Sequence, residues 1–162
     1  MNALPEKNRE IPVALALGGN LGDVAATFRL ALRALAAGGV AHLRMAGLMV
    51  TAPEDCAPGT PDFVNSAATG FWRGSPEALL ALARQVEIVL GRPAEHGYHA
   101  SRTLDVDLIL FGDQCIDTPH LVVPHPAARR RRFVLEPLAE IAGDWVFPDD
   151  GTTVAEALAR LA

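Results

Sequence analysis

The spacing of hydrophobic residues changes along the chain, and these changes predict the order of strands and helices. Residues 13–17 are uniformly apolar and predict a buried strand, which Gly18-Gly19-Asn20 is expected to end in a tight turn. Apolar residues then recur at helical spacing over residues 24–35, with Asp23 as a suitable N-cap and Gly38-Gly39 as the stop. The first unit is therefore a strand followed by a helix.

The middle of the chain repeats this strand and helix order. Residues 40–50 and 63–72 predict two strands, separated by a proline-containing loop over 51–62. Ser75 and Pro76 are a typical N-cap and first residue of a helix. The predicted core face of that helix comprises Leu79, Leu82, Ala83, Val86 and Leu90.

The last part of the chain adds a strand and further helices. Residues 104–111 predict the fourth strand, and residues 132–141 predict a helix. A final helix begins at Thr153, with Glu156 in capping-box spacing. The order βαββαβ, followed by a C-terminal helical appendage, predicts an α+β, ferredoxin-like antiparallel sheet with helices packed on it. We expect one domain over residues 1–162, of which 1–11 form a polar tail.

Composition narrows the classes of partner. The chain has 162 residues, 50% hydrophobic and 20% charged, and a formal net charge of −5. An acidic chain is not built to neutralise a nucleic-acid backbone, and no stretch approaches the length of a membrane span. Cys56 and Cys115 are far apart and predict thiols in a reducing compartment. We expect a cytoplasmic monomer with small-molecule substrates.

Two carboxylates in one apolar strand are the clearest chemical signal. Asp105 and Asp107 are two residues apart, so in a strand they share one face. Mg²⁺ prefers such oxygen ligands and completes its shell with substrate phosphates, and Arg102 adds a cation suited to phosphate. The pair favours a metal site for phosphoryl chemistry. An exposed strand face with two ordinary acids is the alternative.

Other side chains carry weaker signals. Phe63 and Asn65 share a strand face and could bind a flat heterocycle, although a core phenylalanine beside an edge amide is the simpler local interpretation. Glu87 and Arg92 are locally most consistent with a solvated helix end bearing an exposed ion pair. His125, between two prolines, is equally compatible with a phosphate donor and with a loop histidine bonded to backbone.

A run of four arginines, Arg129 to Arg132, is the one strongly basic segment. Such runs are usually solvated. Phe133 follows at once, however, and an arginine cluster beside a magnesium site would clamp polyphosphate. We therefore expect at least one functional arginine in the run.

Several segments, in this order and spacing, resemble the 6-hydroxymethyl-7,8-dihydropterin pyrophosphokinase family. The resemblance extends from about residue 13 to residue 148. The segments are Leu17-Gly18-Gly19-Asn20-Leu21-Gly22, Pro61-Asp62-Phe63-Val64-Asn65, Leu90-Gly91-Arg92 with Glu87, Arg102-Thr103-Leu104-Asp105-Val106-Asp107-Leu108, Val123-Pro124-His125-Pro126 and Arg131-Arg132-Phe133-Val134-Leu135-Glu136-Pro137-Leu138.

The resemblance implies transfer of pyrophosphate from ATP to the pterin hydroxymethyl group in folate biosynthesis, with AMP released. It implies two Mg²⁺ ions held by Asp105 and Asp107. It implies catalytic roles for these aspartates and for Arg92 and Arg102. The implied ATP contacts are Glu87, Arg92, Arg102, Leu108, His125 and Arg131, and the implied pterin contacts are Thr51, Pro53, Phe63, Asn65, Asp105 and Phe133.

The chain departs from the family pattern around the loop over residues 92–101. Arg84 stands where many members have glutamine, and Ala94 where many have arginine. A non-catalytic pterin- or nucleotide-binding homologue is therefore an alternative to the enzyme. A ferredoxin-like nucleic-acid-binding module is a further alternative, which the low aromatic content of 6% argues against.

Overall fold

The computed structural model describes residues 9–53, 56–91 and 103–161. The predicted polar tail falls largely outside these ranges, and its last residue, Ile11, already belongs to a strand. Cys56 and Cys115 do not form a disulfide in the structure. None of the described helices combines the length and apolar character that a bilayer crossing requires.

A five-stranded antiparallel sheet is the centre of the structure. Its middle strand β1 (Ile11–Gly19) lies between β4 (Phe63–Trp72) and β5 (Asp105–Phe111). Strands β2 (Ala41–Met45) and β3 (Met49–Thr51) pair with successive parts of β4. The spatial order β2-β4-β1-β5, with β3 also on β4, leaves β5 at one edge of the sheet.

Four α-helices in the described part of the chain cover the two faces of this sheet. Helices α1 (Val24–Ala37) and α2 (Pro76–Val89) pack on one face, and α3 (Arg132–Ala142) and α4 (Val154–Arg160) on the other. This arrangement confirms the ferredoxin-like α+β prediction, with the C-terminal helices as the appendage. The appendage gives the sheet a second covered face, and the candidate site lies on that side.

The side chains of β1 show how the two faces differ. Val13, Leu15 and Leu17 point into the core beneath α1 and α2. Ala14 and Ala16 alternate with them and point toward α3 and α4. Large residues therefore fill one face of the central strand, whereas small residues leave space on the other.

The predicted N-caps of three helices are confirmed by side-chain hydrogen bonds. Asp23 Oδ1 accepts from the Ala26 N–H at 3.1 Å, and Ser75 Oγ accepts from the Ala78 N–H at 3.1 Å. Thr153 Oγ1 accepts from the Glu156 N–H at 3.1 Å. Each cap satisfies a backbone donor that the first turn of a helix cannot pair internally.

Two strand predictions are wrong in detail. Strand β1 does not stop at Leu17 but continues to Gly19, because Gly18 and Gly19 remain paired with Asn65 and Val64 of β4. The predicted strand over 40–50 is two strands, interrupted where the Ser66 hydroxyl donates to the Ala46 carbonyl at 2.9 Å. In the same interruption, the Gly47 N–H donates to Glu140 Oε1 at 3.1 Å. Hydrogen bonds to residues distant in the sequence replace the regular pairing between strands at this point.

A short hairpin brings a proline-rich segment against the edge strand. Strand β6 (Ile116–Asp117) pairs with β7 (Val122–Val123) in antiparallel register. Directly after β7, the His125 N–H donates to the Ile109 carbonyl of β5 at 3.1 Å. This bond places His125 beside the strand that carries the two aspartates.

Candidate active site

The floor of the candidate site is a trough across three strands. In register, Gly18 of β1 lies opposite Asn65 on one side and Asp105 on the other, and Ala16 lies opposite Ala67 and Asp107. A side chain at Gly18 would place a Cβ 3.2 Å from Asn65 Oδ1. Glycine and alanine on the central strand therefore keep space open between the amide and the carboxylates.

A cavity of about 610 Å³ lies above this trough, which is a size typical of small-ligand sites. Eight of the residues that the sequence analysis assigned to ligand or metal binding line it. They are Thr51, Phe63, Asn65, Asp105, Asp107, His125, Arg131 and Phe133. Arg130 and Arg132, which belong to the run expected to hold a functional arginine, also line it, as do Ala16 and Ala52, which received no role of their own.

The aromatic and amide part of the cavity is formed by β3, β4 and the start of α3. Phe63 is half-buried rather than part of the core, and it lines the cavity together with Phe133. Asn65 is buried, and its Nδ2 donates to Thr51 Oγ1 at 3.1 Å. This bond orients the amide. From the loop that follows, Ala52 rather than Pro53 reaches the cavity.

The two carboxylates form the acidic wall. Asp105 and Asp107 are both half-buried, and both line the cavity from one face of β5. Their oxygens are hard donors, which suit Mg²⁺, an ion commonly held by one or two carboxylates with water and phosphate in its remaining positions. The residues present therefore fit the metal that the family resemblance implies.

One of the four arginines in the run binds within the fold, and the other three line the cavity. Arg129 points away, and its guanidinium pairs with both carboxylate oxygens of Asp149, at 2.5 and 2.6 Å, and stacks 4.7 Å from the centre of the Phe147 ring. This bidentate bond raises the pKa of Arg129 and lowers the pKa of Asp149. Arg130, Arg131 and Arg132 instead line the cavity that the two aspartates also line, and the Arg132 guanidinium in addition donates to the Leu161 carbonyl at 2.5 Å.

His125 has the backbone partner that one of the two sequence interpretations predicted, and the phosphate role stays a prediction. Its Nδ1 accepts from the Ala127 N–H at 3.2 Å, which leaves Nε2 as the protonated nitrogen of a neutral ring. Burial lowers the pKa of His125, Arg131 lowers it further, and Asp107 partly opposes both effects. A neutral ring that accepts through Nδ1 can donate through Nε2 to a ligand.

The expected exposed ion pair at the end of α2 is wrong for Glu87. Only 1% of its side chain is exposed, because α2 packs against β5 at this point. Glu87 pairs with Arg84 and accepts from the Val106 N–H at 3.3 Å. The two arginines predicted for this region, Arg92 and Arg102, lie outside the described residues.

A second cavity of about 260 Å³ adjoins the first one. The two cavities share Asp107 and His125. Leu80, Leu108 and Leu121 give the second cavity apolar walls, and Arg84 and His120 give it polar ones. Among these residues, sequence reasoning had assigned Leu108 alone to ligand binding. The others carry no local signal, because the β6–β7 hairpin and α2 bring them together only in the fold.

The fold and cavities define a class of protein. It is a ferredoxin-like protein in which two carboxylates and three arginines line one ligand-sized cavity, a set of groups suited to phosphate chemistry with a hard cation. The family model of 7,8-dihydro-6-hydroxymethylpterin-pyrophosphokinase (HPPK) matches residues 14–143. The chain belongs to this family.

Individual relatives agree with the family match. A 2-amino-4-hydroxy-6-hydroxymethyldihydropteridine pyrophosphokinase of Methylorubrum extorquens is 37% identical, over 91% of this chain and 91% of its own length. The enzyme of the same name from Synechocystis is 36% identical, over 90% of this chain and 73% of its own length. The mitochondrial folate synthesis bifunctional protein of Arabidopsis thaliana is 35% identical over 92% of this chain, which spans only 26% of that protein.

Solved structures support the fold. The wild-type HPPK-DHPS protein of Plasmodium falciparum with pteroate superposes with a TM-score of 0.71 over 94% of this chain, at 12% identity. This chain spans 44% of that longer chain. At such low identity, the likeness concerns the arrangement of strands and helices.

Proposed function

We propose that this chain transfers pyrophosphate from ATP to the hydroxymethyl group of 6-hydroxymethyl-7,8-dihydropterin, giving AMP and the pterin diphosphate. One observation carries the proposal. A single cavity brings together an amide, two aromatic residues, a pair of carboxylates and three arginines. These are the groups that a flat heterocycle, a hard cation and a polyphosphate each need.

In this proposal the pterin occupies the part of the cavity next to β4 and α3. Phe63 and Phe133 stack on its ring, and Asn65, oriented by Thr51, pairs with its polar edge. The absence of a side chain at Gly18 leaves the space in which the ring lies. The hydroxymethyl group then points toward Asp105.

Nucleotide binding uses the arginines of the larger cavity together with the second cavity. Arg131 and the Nε2–H of His125 contact the phosphates, and the apolar walls around Leu108 take the nucleoside. Mg²⁺ would be held by Asp105 and Asp107 and would neutralise charge on the phosphates. Roles for Glu87, Arg92 and Arg102 at the phosphates remain predictions from the family resemblance, as does a second metal ion.

The reaction depends mainly on how the two substrates are positioned. The hydroxymethyl oxygen forms a bond to the β-phosphorus, the bond from that phosphorus to the α,β-bridging oxygen breaks, and AMP leaves with the electron pair. The hydroxyl proton passes to solvent. Holding both substrates in line across the trough and stabilising charge with arginines supplies most of the acceleration in such transfers.

The test is AMP release from ATP, measured with and without 6-hydroxymethyl-7,8-dihydropterin, first in Mg²⁺ and then in EDTA. We expect AMP only when pterin and Mg²⁺ are both present. A folded sample that binds pterin but releases no AMP would contradict the transferase and favour the non-catalytic homologue. A cytoplasmic location and a monomeric state remain predictions, and gel filtration checks the second.

A further inference from the structure

The backbone between the two site aspartates is held by side chains of α2. Strand β5 is the edge of the sheet, so every second residue turns its N–H and C=O away from β1. Val106 is such a residue. Its N–H donates to Glu87 Oε2 at 3.3 Å, and its C=O accepts from Arg84 Nη1 at 3.0 Å.

Arg84 and Glu87 also bind each other, which closes the arrangement. Arg84 Nη1 donates to Glu87 Oε1, so each side chain is held by its partner as well as by Val106. The two residues are one helical turn apart and thus project from the same side of α2. Together they take the place that a neighbouring strand would occupy at this one residue of β5.

The position of this contact matters because of its neighbours. Asp105 and Asp107 flank Val106 directly, and their side chains leave the strand on the opposite face from that of Val106. Any shift or rotation of the Val106 peptide units therefore moves both carboxylates. A chelating pair needs its oxygens held to within a fraction of an ångström.

We propose that Arg84 and Glu87 are positioning residues, which clamp the Val106 backbone and so set the separation and direction of the Asp105 and Asp107 carboxylates for a divalent cation. The inference rests on the proposed function, because the cation in question is the Mg²⁺ that the proposed pyrophosphate transfer requires. It assigns a role to Arg84, where the chain departs from the glutamine of many family members. It also gives buried Glu87 a role that requires no contact with substrate.

The test removes both clamp residues together. Replacing Arg84 and Glu87 with Met approximately keeps side-chain length, and removing both partners of an ion pair together avoids leaving the buried Glu87 charge unpaired. The matched control is Arg73→Met with Glu10→Met, which removes an ion pair of 3.2 Å at the opposite end of the sheet. All variants are compared in the full chain.

The first measurement is Mn²⁺ binding without substrates, followed by electron paramagnetic resonance. We expect the clamp variant to raise the Kd about tenfold, within the range found when groups that orient metal ligands are removed. We expect no change for the control. Asp105→Asn with Asp107→Asn defines the signal that belongs to this site.

The second measurement is hydrogen exchange at the Val106 amide. We expect exchange at this amide to accelerate in the clamp variant and to remain unchanged in the control. A clamp variant with the Kd of the unaltered chain would overturn the proposal. So would equal weakening in the control pair, because that would reflect a general loss of stability.

A second variant guards against misfolding of the one with two Met residues. Arg84→Met with Glu87→Gln leaves no unpaired charge at the buried position 87, keeps an acceptor for the Val106 N–H and removes the bond to the Val106 carbonyl. Weaker Mn²⁺ binding supports the clamp, and an unchanged Kd overturns it.

The clamp and the proposed function can fail separately. Mn²⁺ binding that depends on the clamp, without pterin-dependent AMP release, would refute the transferase alone. AMP release with a clamp-independent Kd would refute the clamp alone. A Kd for Mn²⁺ that does not change when both aspartates are replaced would overturn the proposal, because the clamp would then have no metal site to position.

Discussion

Replacing Phe133 with Ala should weaken pterin binding far more than ATP binding. Phe133 is half-buried at the start of α3 and lines the larger cavity. A stacked pterin would cover the part of the ring that is still exposed, which corresponds to about 1 kcal/mol of apolar burial. Favourable ring geometry adds about 1 kcal/mol. The sum of about 2 kcal/mol corresponds to about a 30-fold increase in the pterin Kd.

The same substitution should affect ATP only slightly. The Arg131 guanidinium lies 5.6 Å from the centre of the Phe133 ring, so removing the ring removes one support of an arginine at the proposed phosphate site. Exposed contacts of this kind contribute about 0.5–1 kcal/mol, which is about two- to fivefold in affinity. The predicted signature is therefore a large loss for pterin beside a small loss for ATP.

Isothermal titration with each substrate measures both losses. Phe133→Leu keeps most of the apolar area but not the aromatic face, and should give an intermediate loss of pterin affinity. Phe71→Ala is the control, because Phe71 is also half-buried but lies at the far end of β4 against His42. Equal losses for the two substrates, or a similar pterin loss in the control, would refute the stacking role.

Three further predictions address the polar groups of the site. Asp105→Ala or Asp107→Ala should abolish AMP release with an unchanged circular dichroism spectrum, since either change removes half of the metal-binding carboxylates; near-normal turnover would contradict the metal assignment. Thr51→Val should weaken pterin binding about tenfold, because the Asn65 Nδ2 loses its acceptor at 3.1 Å, and titration with pterin checks this. The free energy of unfolding should decrease as the pH falls below about 6.5, because burial lowers the pKa of His125 in the folded state and the unfolded chain therefore takes up a proton first. Urea denaturation at several pH values measures this decrease, and the same dependence in His125→Asn would count against the assignment.

Local patterns were sufficient to predict most elements of the fold. Hydrophobic spacing and caps such as Asp23 and Ser75 located α1 and α2, because these signals involve residues within one turn of a helix. The strand over residues 63–72 has the predicted bounds. The predictions were wrong where a distant residue intervenes. Glu140, which binds the Gly47 N–H, is 93 positions away along the chain.

The burial of Glu87 shows why the site was only partly predictable. A glutamate near the end of a helix is normally solvated, and nothing adjacent in the sequence indicates otherwise. Its environment depends on β5, whose Val106 lies 19 positions further along. In the same way, Arg129 is drawn out of the arginine run by Asp149, 20 positions away.

The sequence by itself determined the type and order of the elements, the oxygen donors of Asp105 and Asp107, and the aromatic and basic residues in the register of a known family. These properties depend on side-chain chemistry and on spacings of two to four residues. Only the tertiary structure decided which of these residues share a cavity. It also decided which arginines line the cavity with the carboxylates and how α2 holds Val106 between the two aspartates. Each of those outcomes requires packing between elements far apart in the chain, and no local pattern of residues encodes that packing.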